Sequence, residues 1–295
     1  VMCEYRSLGR SGLVVSSIGL GCVTFGREID EPTSRGVLDH AFEQGLTLLD
    51  TASAYGEERA SERVLGRWLR DRGMRDEVVL CTKITPPLTR DGVLDSVDES
   101  LMHLKTDRID LLQIHAWDET NDAGEWLGAL DEVVQAGKAR ALGCSNVTLP
   151  QLETALEIQT GLGGRMESVQ PIYNLVHREL ESGLLPLCVE EEIGVMTYSP
   201  LGAGFLTGKY QLGGPIPPGT RFDIKPGHQP IYFSPHGWRV LAELHDESVE
   251  TGISMVQLAL RWAFSRSGVT SVLVGCRTPA HVDQALTAHR ATRGG

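Results

Sequence analysis

In the stretch GLTLLDTASAYGEERASERVLGRWL, residues 45–69, Asp50 and Tyr55 stand where an apolar, strand-like run gives way to the spacing of an amphipathic helix. Lys83 lies in the next apolar run, EVVLCTKI, and His115 closes the one after it, RIDLLQIH. Each has an ordinary structural explanation: Asp50 a cap, Tyr55 a half-buried packing ring, Lys83 a cation beside a buried carboxylate, His115 a satisfied core imidazole. Together they are harder to place, because an ionisable group in an apolar run costs several kcal/mol unless it is paired or used. A lysine beside a phenol favours the phenolate and lowers its pKa from about 10 toward working pH, while a carboxylate keeps that lysine charged and oriented. Tyr55 then becomes a proton donor, and a neutral His115 can hydrogen-bond a carbonyl and fix the face it presents. Such a set protonates a carbonyl oxygen as another group attacks its carbon.

The elements that must position these groups are legible as periodicity. Eight apolar, β-branched-rich runs recur, at 16–23, 46–52, 77–84, 108–115, 139–146, 167–174, 193–200 and 269–275. Most are continuously apolar rather than alternating, as parallel strands covered on both faces are. Helical patterns lie between them at 33–44, 61–72, 92–104, 124–135, 148–158 and 180–191, with a longer one over 237–264 broken near Gly252. Eight βα units in 295 residues predict an α/β fold, a single (β/α)8 TIM barrel spanning 1–295, with a doubly wound open sheet as the runner-up. Residues 4–16 predict a hairpin turning at Gly9 to Gly12 and plugging one end of the barrel. The long irregular stretch 213–237 after the seventh strand predicts an active-site lid.

Composition narrows the partners. The chain is 41% apolar, with no run of 18 uncharged apolar residues, so no membrane partner is expected. Its N-terminal VMCEYRSLGR lacks the apolar core of a signal peptide, and the expected location is cytoplasmic. Scattered basic residues, 27 against 39 acidic for a net charge of -12, argue against nucleic acid. The six cysteines form no C-x-x-C, and with no H-x-H or H-E-x-x-H no metal is expected; the thiols are expected reduced and buried. GLGCVTFG has two of the three glycines of a dinucleotide fingerprint and carries no weight as one.

The motifs GLTLLDTASAYG, LCTKI, LLQIH, GCSN, VQPIYN and YSPLGAGFLTGKY follow one another along nearly the whole chain. In that order the chain resembles the aldo-keto reductases, in the branch that holds bacterial sugar and aldehyde reductases and potassium-channel β subunits. The resemblance implies Tyr55 as general acid, Lys83 and Asp50 as the pair that tunes it, and His115 as the substrate orienter. It implies hydride from a nicotinamide cofactor, NADPH with NADH as the alternative, and a small aldehyde or keto-sugar as substrate. Ser145, Asn146 and Gln170 would hold the nicotinamide carboxamide, Tyr198 would stack on the ring, and Ser199 and Leu201 would line the diphosphate path.

Position supports this, since TIM barrels commonly bind phosphate with the loops after strands seven and eight. There Gly202 and Gly204 let backbone N–H groups approach a pyrophosphate, with Lys209 as a point charge. After strand eight, Gly275 and Arg277 precede a helix, and the arginine suits a 2′-phosphate. The chain departs from the branch in the following helix, where the positions that contact adenine read His281, Gln284 and Ala285. Phe25, Trp117 and Tyr55 are candidate pocket walls, joined by Phe222, Tyr232, Phe233 or Trp238 of the lid. A homo-oligomer is left open. The competing functions are a cofactor-loaded regulatory protein and a lyase using Lys83 as a Schiff base.

Overall fold

The computed structural model describes residues 3–292 of the chain. It opens with the antiparallel hairpin β1 (Tyr5–Ser7) and β2 (Val14–Ser16). Each of the eight apolar runs then holds a strand: β3 (Ile18–Gly21), β4 (Leu48–Asp50), β5 (Val79–Ile84), β6 (Ile109–Ile114), β7 (Ala139–Ser145), β8 (Met166–Gln170), β9 (Gly194–Thr197) and β10 (Ser271–Gly275). They pair in parallel and in sequence, and β10 returns to β3 to close the barrel. Closure explains the continuous apolar runs, since helices cover the outside and side chains fill the inside; every residue of β4 and β6 is buried. It also rules out the open doubly wound sheet.

The hairpin plugs the N-terminal end of the barrel, as expected. Leu8, Leu13 and Val15 pack against Leu48, Cys81, Leu111, Ala141, Met196 and Leu273 from the barrel interior. At Gly9, φ is +55°, and a Cβ would lie 2.5 Å from the carbonyl oxygen of Glu167, so only glycine lets the turn seat against β8.

The outer helices α1 (Glu31–Glu43), α2 (Ala60–Arg72), α3 (Arg90–Leu104), α4 (Ala123–Gln135) and α5 (Leu149–Gln159) match the helical patterns closely. The pattern over 180–191 divides into a 3-10 turn, Glu179–Ser182, and a short α6 (Leu184–Glu190). The long loop is not structureless. It folds into α7 (Arg221–Ile224) and α8 (Gln229–Tyr232), and its Phe222 and Tyr232 are buried with Phe205 and Tyr210 in a cluster against which Phe233 and Trp238 pack. α9 (Pro235–Thr251) ends at Gly252 in the left-handed region, and Ser254 caps α10 (Met255–Phe264), which is the break expected there. α11 (Pro279–Ala291) completes the ring.

All six cysteines are free and buried. Among the described residues no group of His, Cys, Asp and Glu is placed to hold a metal, and no helix is long and apolar enough to cross a membrane.

Candidate active site

The C-terminal ends of β4, β5 and β6 bring the four ionisable groups together. Lys83 Nζ donates to both carboxylate oxygens of Asp50, at 2.7 and 2.8 Å, and to the carbonyl of Thr51 at 2.9 Å. It lies 3.4 Å from the Tyr55 hydroxyl. Lysine and aspartate are 1% and 3% exposed, so neither charge is solvated and each depends on the other. The turn after β4 is pinned to carry Tyr55 over this pair. The Ser61 N–H donates to the Tyr55 carbonyl at 3.1 Å, and the Ser61 hydroxyl accepts from Thr51 and donates to the Cys22 carbonyl. The His115 ring meets Tyr55 edge to face, with centroids 5.6 Å apart.

Burial works against the Lys83 ammonium, but Asp50 overrides it and holds the lysine pKa above its usual value. A lysine so charged, with three acceptors, is a poor Schiff-base nucleophile, which counts against the lyase. Tyr55 corrects an expectation. Burial raises its pKa more than Lys83 lowers it, and Asp50 adds to the rise, so the phenol is not drawn toward working pH. The reason is chiefly burial, which penalises the phenolate; Lys83 pulls the other way, and Asp50, paired to that lysine, offsets part of its pull. Tyr55 is therefore a protonated phenol at neutral pH with a cation beside it. His115 is pushed down to about 4 by burial and by Lys83, and is neutral. Its Nδ1 is buried and has no hydrogen-bond partner among the described residues, which favours the tautomer with the proton on Nε2, because a bare lone pair is the lesser cost there.

These groups stand at one end of a cavity of about 730 Å³ that runs across the barrel mouth beneath the long loop. Ser145, Asn146, Gln170, Tyr198, Ser199, Leu201, Gly204, Lys209, Gly275, Arg277, His281 and Gln284 all line it. The floor is cross-linked: Ser145 Oγ donates to the Gln170 carbonyl at 2.8 Å, Asn146 Nδ2 to the His115 carbonyl at 2.9 Å, and the Tyr198 hydroxyl to Asn146 Oδ1 at 2.7 Å. Gly204, at φ +91°, leaves room for Lys209, whose Nζ would lie 3.0 Å from a Cβ there. Burial and Arg277 lower the Lys209 pKa, and burial, Arg277 and Lys209 lower that of His281. Among the described residues no carboxylate forms an ion pair with Lys209 or Arg277, so this end of the cavity carries uncompensated positive charge.

Three expected residues are placed otherwise. Phe25 is completely buried in the core beside β3 and does not line the cavity. Trp117 packs edge to face on Trp126, centroids 4.9 Å apart, and does not line the cavity. Gly202, at φ +58°, is buried against Tyr232, and its N–H donates to the Ser199 carbonyl at 2.9 Å, as that of Gly204 does to Leu201 at 3.0 Å, so these amides are spent within the turn rather than left for a pyrophosphate. Of the lid aromatics only Tyr232 reaches the cavity; the others bury one another. Sequence reasoning missed Arg221, which enters the cavity from α7 and pairs with Glu28 at 3.3 Å, and Gln113, which lies beneath Gln170. Arg221 could have been found as the one arginine of the predicted lid.

The profile of the aldo/keto reductase family matches residues 17–292. The chain is 33% identical to aldo-keto reductase YhdN of Bacillus subtilis over 95% of this chain and 87% of that one. It is 31% identical to L-glyceraldehyde 3-phosphate reductase of Escherichia coli, over 97% and 87%. To a probable voltage-gated potassium channel subunit beta of Arabidopsis thaliana it is also 31% identical, over 97% and 90%.

Proposed function

The chain belongs to the aldo/keto reductase family and is an NAD(P)H-dependent oxidoreductase, and from that premise we propose that it reduces a small aldehyde or ketone to the alcohol, with NADPH as cofactor and Tyr55 as proton donor. The observation that carries the proposal is the Asp50–Lys83–Tyr55 chain beside a neutral His115, at one end of a cavity whose other end is cationic.

The residues present fit a nicotinamide dinucleotide. Lys209 and Arg277 supply charge for its phosphates, with Arg277 suited to a two-pronged contact on the 2′-phosphate of NADPH. Arg221 faces the same cavity. Ser145, Asn146 and Gln170 would hold the carboxamide, and Tyr198 the ring face. When bound, the reduced nicotinamide supplies a hydride to the carbonyl carbon. Tyr55 gives its phenolic proton to the carbonyl oxygen, so its O–H bond breaks as that of the alcohol forms. The Lys83 ammonium stabilises the phenolate left behind, in a site shielded from water. Asp50 keeps Lys83 charged and aimed. His115 donates from Nε2 to the carbonyl oxygen and sets the orientation in which Tyr55 can reach it.

Tyr55 and His115 line the cavity where the carbonyl would lie, and a small substrate is supported by one relative, whose name is that of an L-glyceraldehyde 3-phosphate reductase. The test is turnover of a panel of aldehydes, ketones and keto-sugars by the wild type and by Tyr55→Phe. The variant is expected to lose at least about a hundredfold in rate, the scale of a missing general acid.

A further inference from the structure

Gln113 takes no part in the chemistry just described, yet it is completely buried at the centre of a row of polar side chains inside the barrel. Its Oε1 accepts from Gln170 Nε2 at 3.0 Å, and its own Nε2 donates to Ser168 Oγ at 3.1 Å. Gln170 Nε2 also donates to Asp50 Oδ1 at 2.8 Å. The row therefore runs from Ser168 through Gln113 and Gln170 to the carboxylate that holds Lys83.

The barrel register makes room for it. Lys83, Gln113, Gly143 and Ser168 are successive partners across β5 to β8. A Cβ on Gly143 would lie 2.2 Å from Ser168 Oγ and 3.1 Å from Gln113 Cγ, so a side chain there would break the row.

The consequence falls on Gln170. A primary amide has two N–H donors and one carbonyl acceptor. Both donors are spent inward, on Asp50 and Gln113, so the group left for the cavity is the acceptor Oε1. An acceptor at that place matches the N–H of a carboxamide. We propose that Gln113 is a positioning residue for the nicotinamide end of the cofactor, locking the Gln170 amide with its carbonyl oxygen toward the cavity; this rests on the dinucleotide reading above. With Gln113 gone, Gln170 keeps one inward partner instead of two and can turn away from the carboxamide.

The test compares two probes by fluorescence or calorimetric titration: NADPH, and 2′-phospho-ADP-ribose, which has the adenine and diphosphate but no nicotinamide. Gln113→Met, of similar volume and without hydrogen bonds, is expected to weaken NADPH about tenfold, the scale of one hydrogen bond lost in a buried site, and to leave 2′-phospho-ADP-ribose within about twofold. Gln113→Glu keeps an acceptor for Gln170 and is expected to restore most of the NADPH affinity. Unchanged NADPH binding in Gln113→Met, equal weakening of both probes, or failure of Gln113→Glu to improve on Gln113→Met would each overturn the inference. Wild-type protein that binds neither probe would instead sink the cofactor reading, and this inference with it.

Discussion

Asp50 holds Lys83 charged beneath Tyr55, and the burial of the phenol outweighs the pull of that lysine on its proton. This suits an acid for reduction: the phenol stays protonated across neutral pH, and the cation is already in place for the phenolate. His115 gives a second consequence with a definite sign. Its folded pKa is about 4 against an ordinary 6.5, so between those values the unfolded chain holds a proton that the folded protein refuses. Stability from this group is full above about pH 6.5 and is lost as pH falls toward about 4. Thermal melts across that window should show a steeper loss for the wild type than for His115→Gln; parallel curves would mean that the imidazole is not held neutral. At this scale the cluster of Asp50, Lys83, Tyr55 and His115 was legible because charge in apolar strands has few uses. Gln113 was not, since an uncharged amide in such a run carries no comparable penalty, and its role depends on neighbours from two other strands. Phe25 misled because an aromatic just past a strand suits a pocket rim as well as a core, and only tertiary packing separates the two.

The elements divide the work between the two ends of the barrel. The C-terminal ends of β4 to β8 and the loops after β4, β9 and β10 build the site, whereas the β1–β2 hairpin seals the far end with Leu8, Leu13 and Val15. Leu8→Ala should therefore cost about 2–5 kcal/mol of stability, the range for an emptied core site, while NADPH affinity stays within about twofold. Affinity falling in step with stability would show that the two ends are not independent. The strands were legible because both faces are covered and their sequences say so. The interior of the long loop was not: its helices have four residues each, too short for a period, and are held by aromatic packing that sequence order does not reveal. Arg221 carried a weaker signal, as the one arginine of that stretch.

For the whole molecule, a net charge of -12 surrounds one cavity end where Lys209 and Arg277 have no carboxylate partner among the described residues. Local charge must therefore do the attracting, against a repulsive mean field. Arg277→Ala should weaken NADPH at least about tenfold and NADH within about twofold, because only the 2′-phosphate loses its partner. Equal weakening would remove Arg277 from that phosphate. The buried alanine at 285 cannot supply the hydrogen bonds expected toward adenine. The most direct test of the account joins binding and chemistry in one cuvette: wild type and Tyr55→Phe are titrated with NADPH by fluorescence, then given a carbonyl that the wild type reduces. Both proteins are expected to bind NADPH with similar affinity and only the wild type to oxidise it. Equal turnover by the two, or loss of NADPH binding along with turnover in Tyr55→Phe, would contradict it.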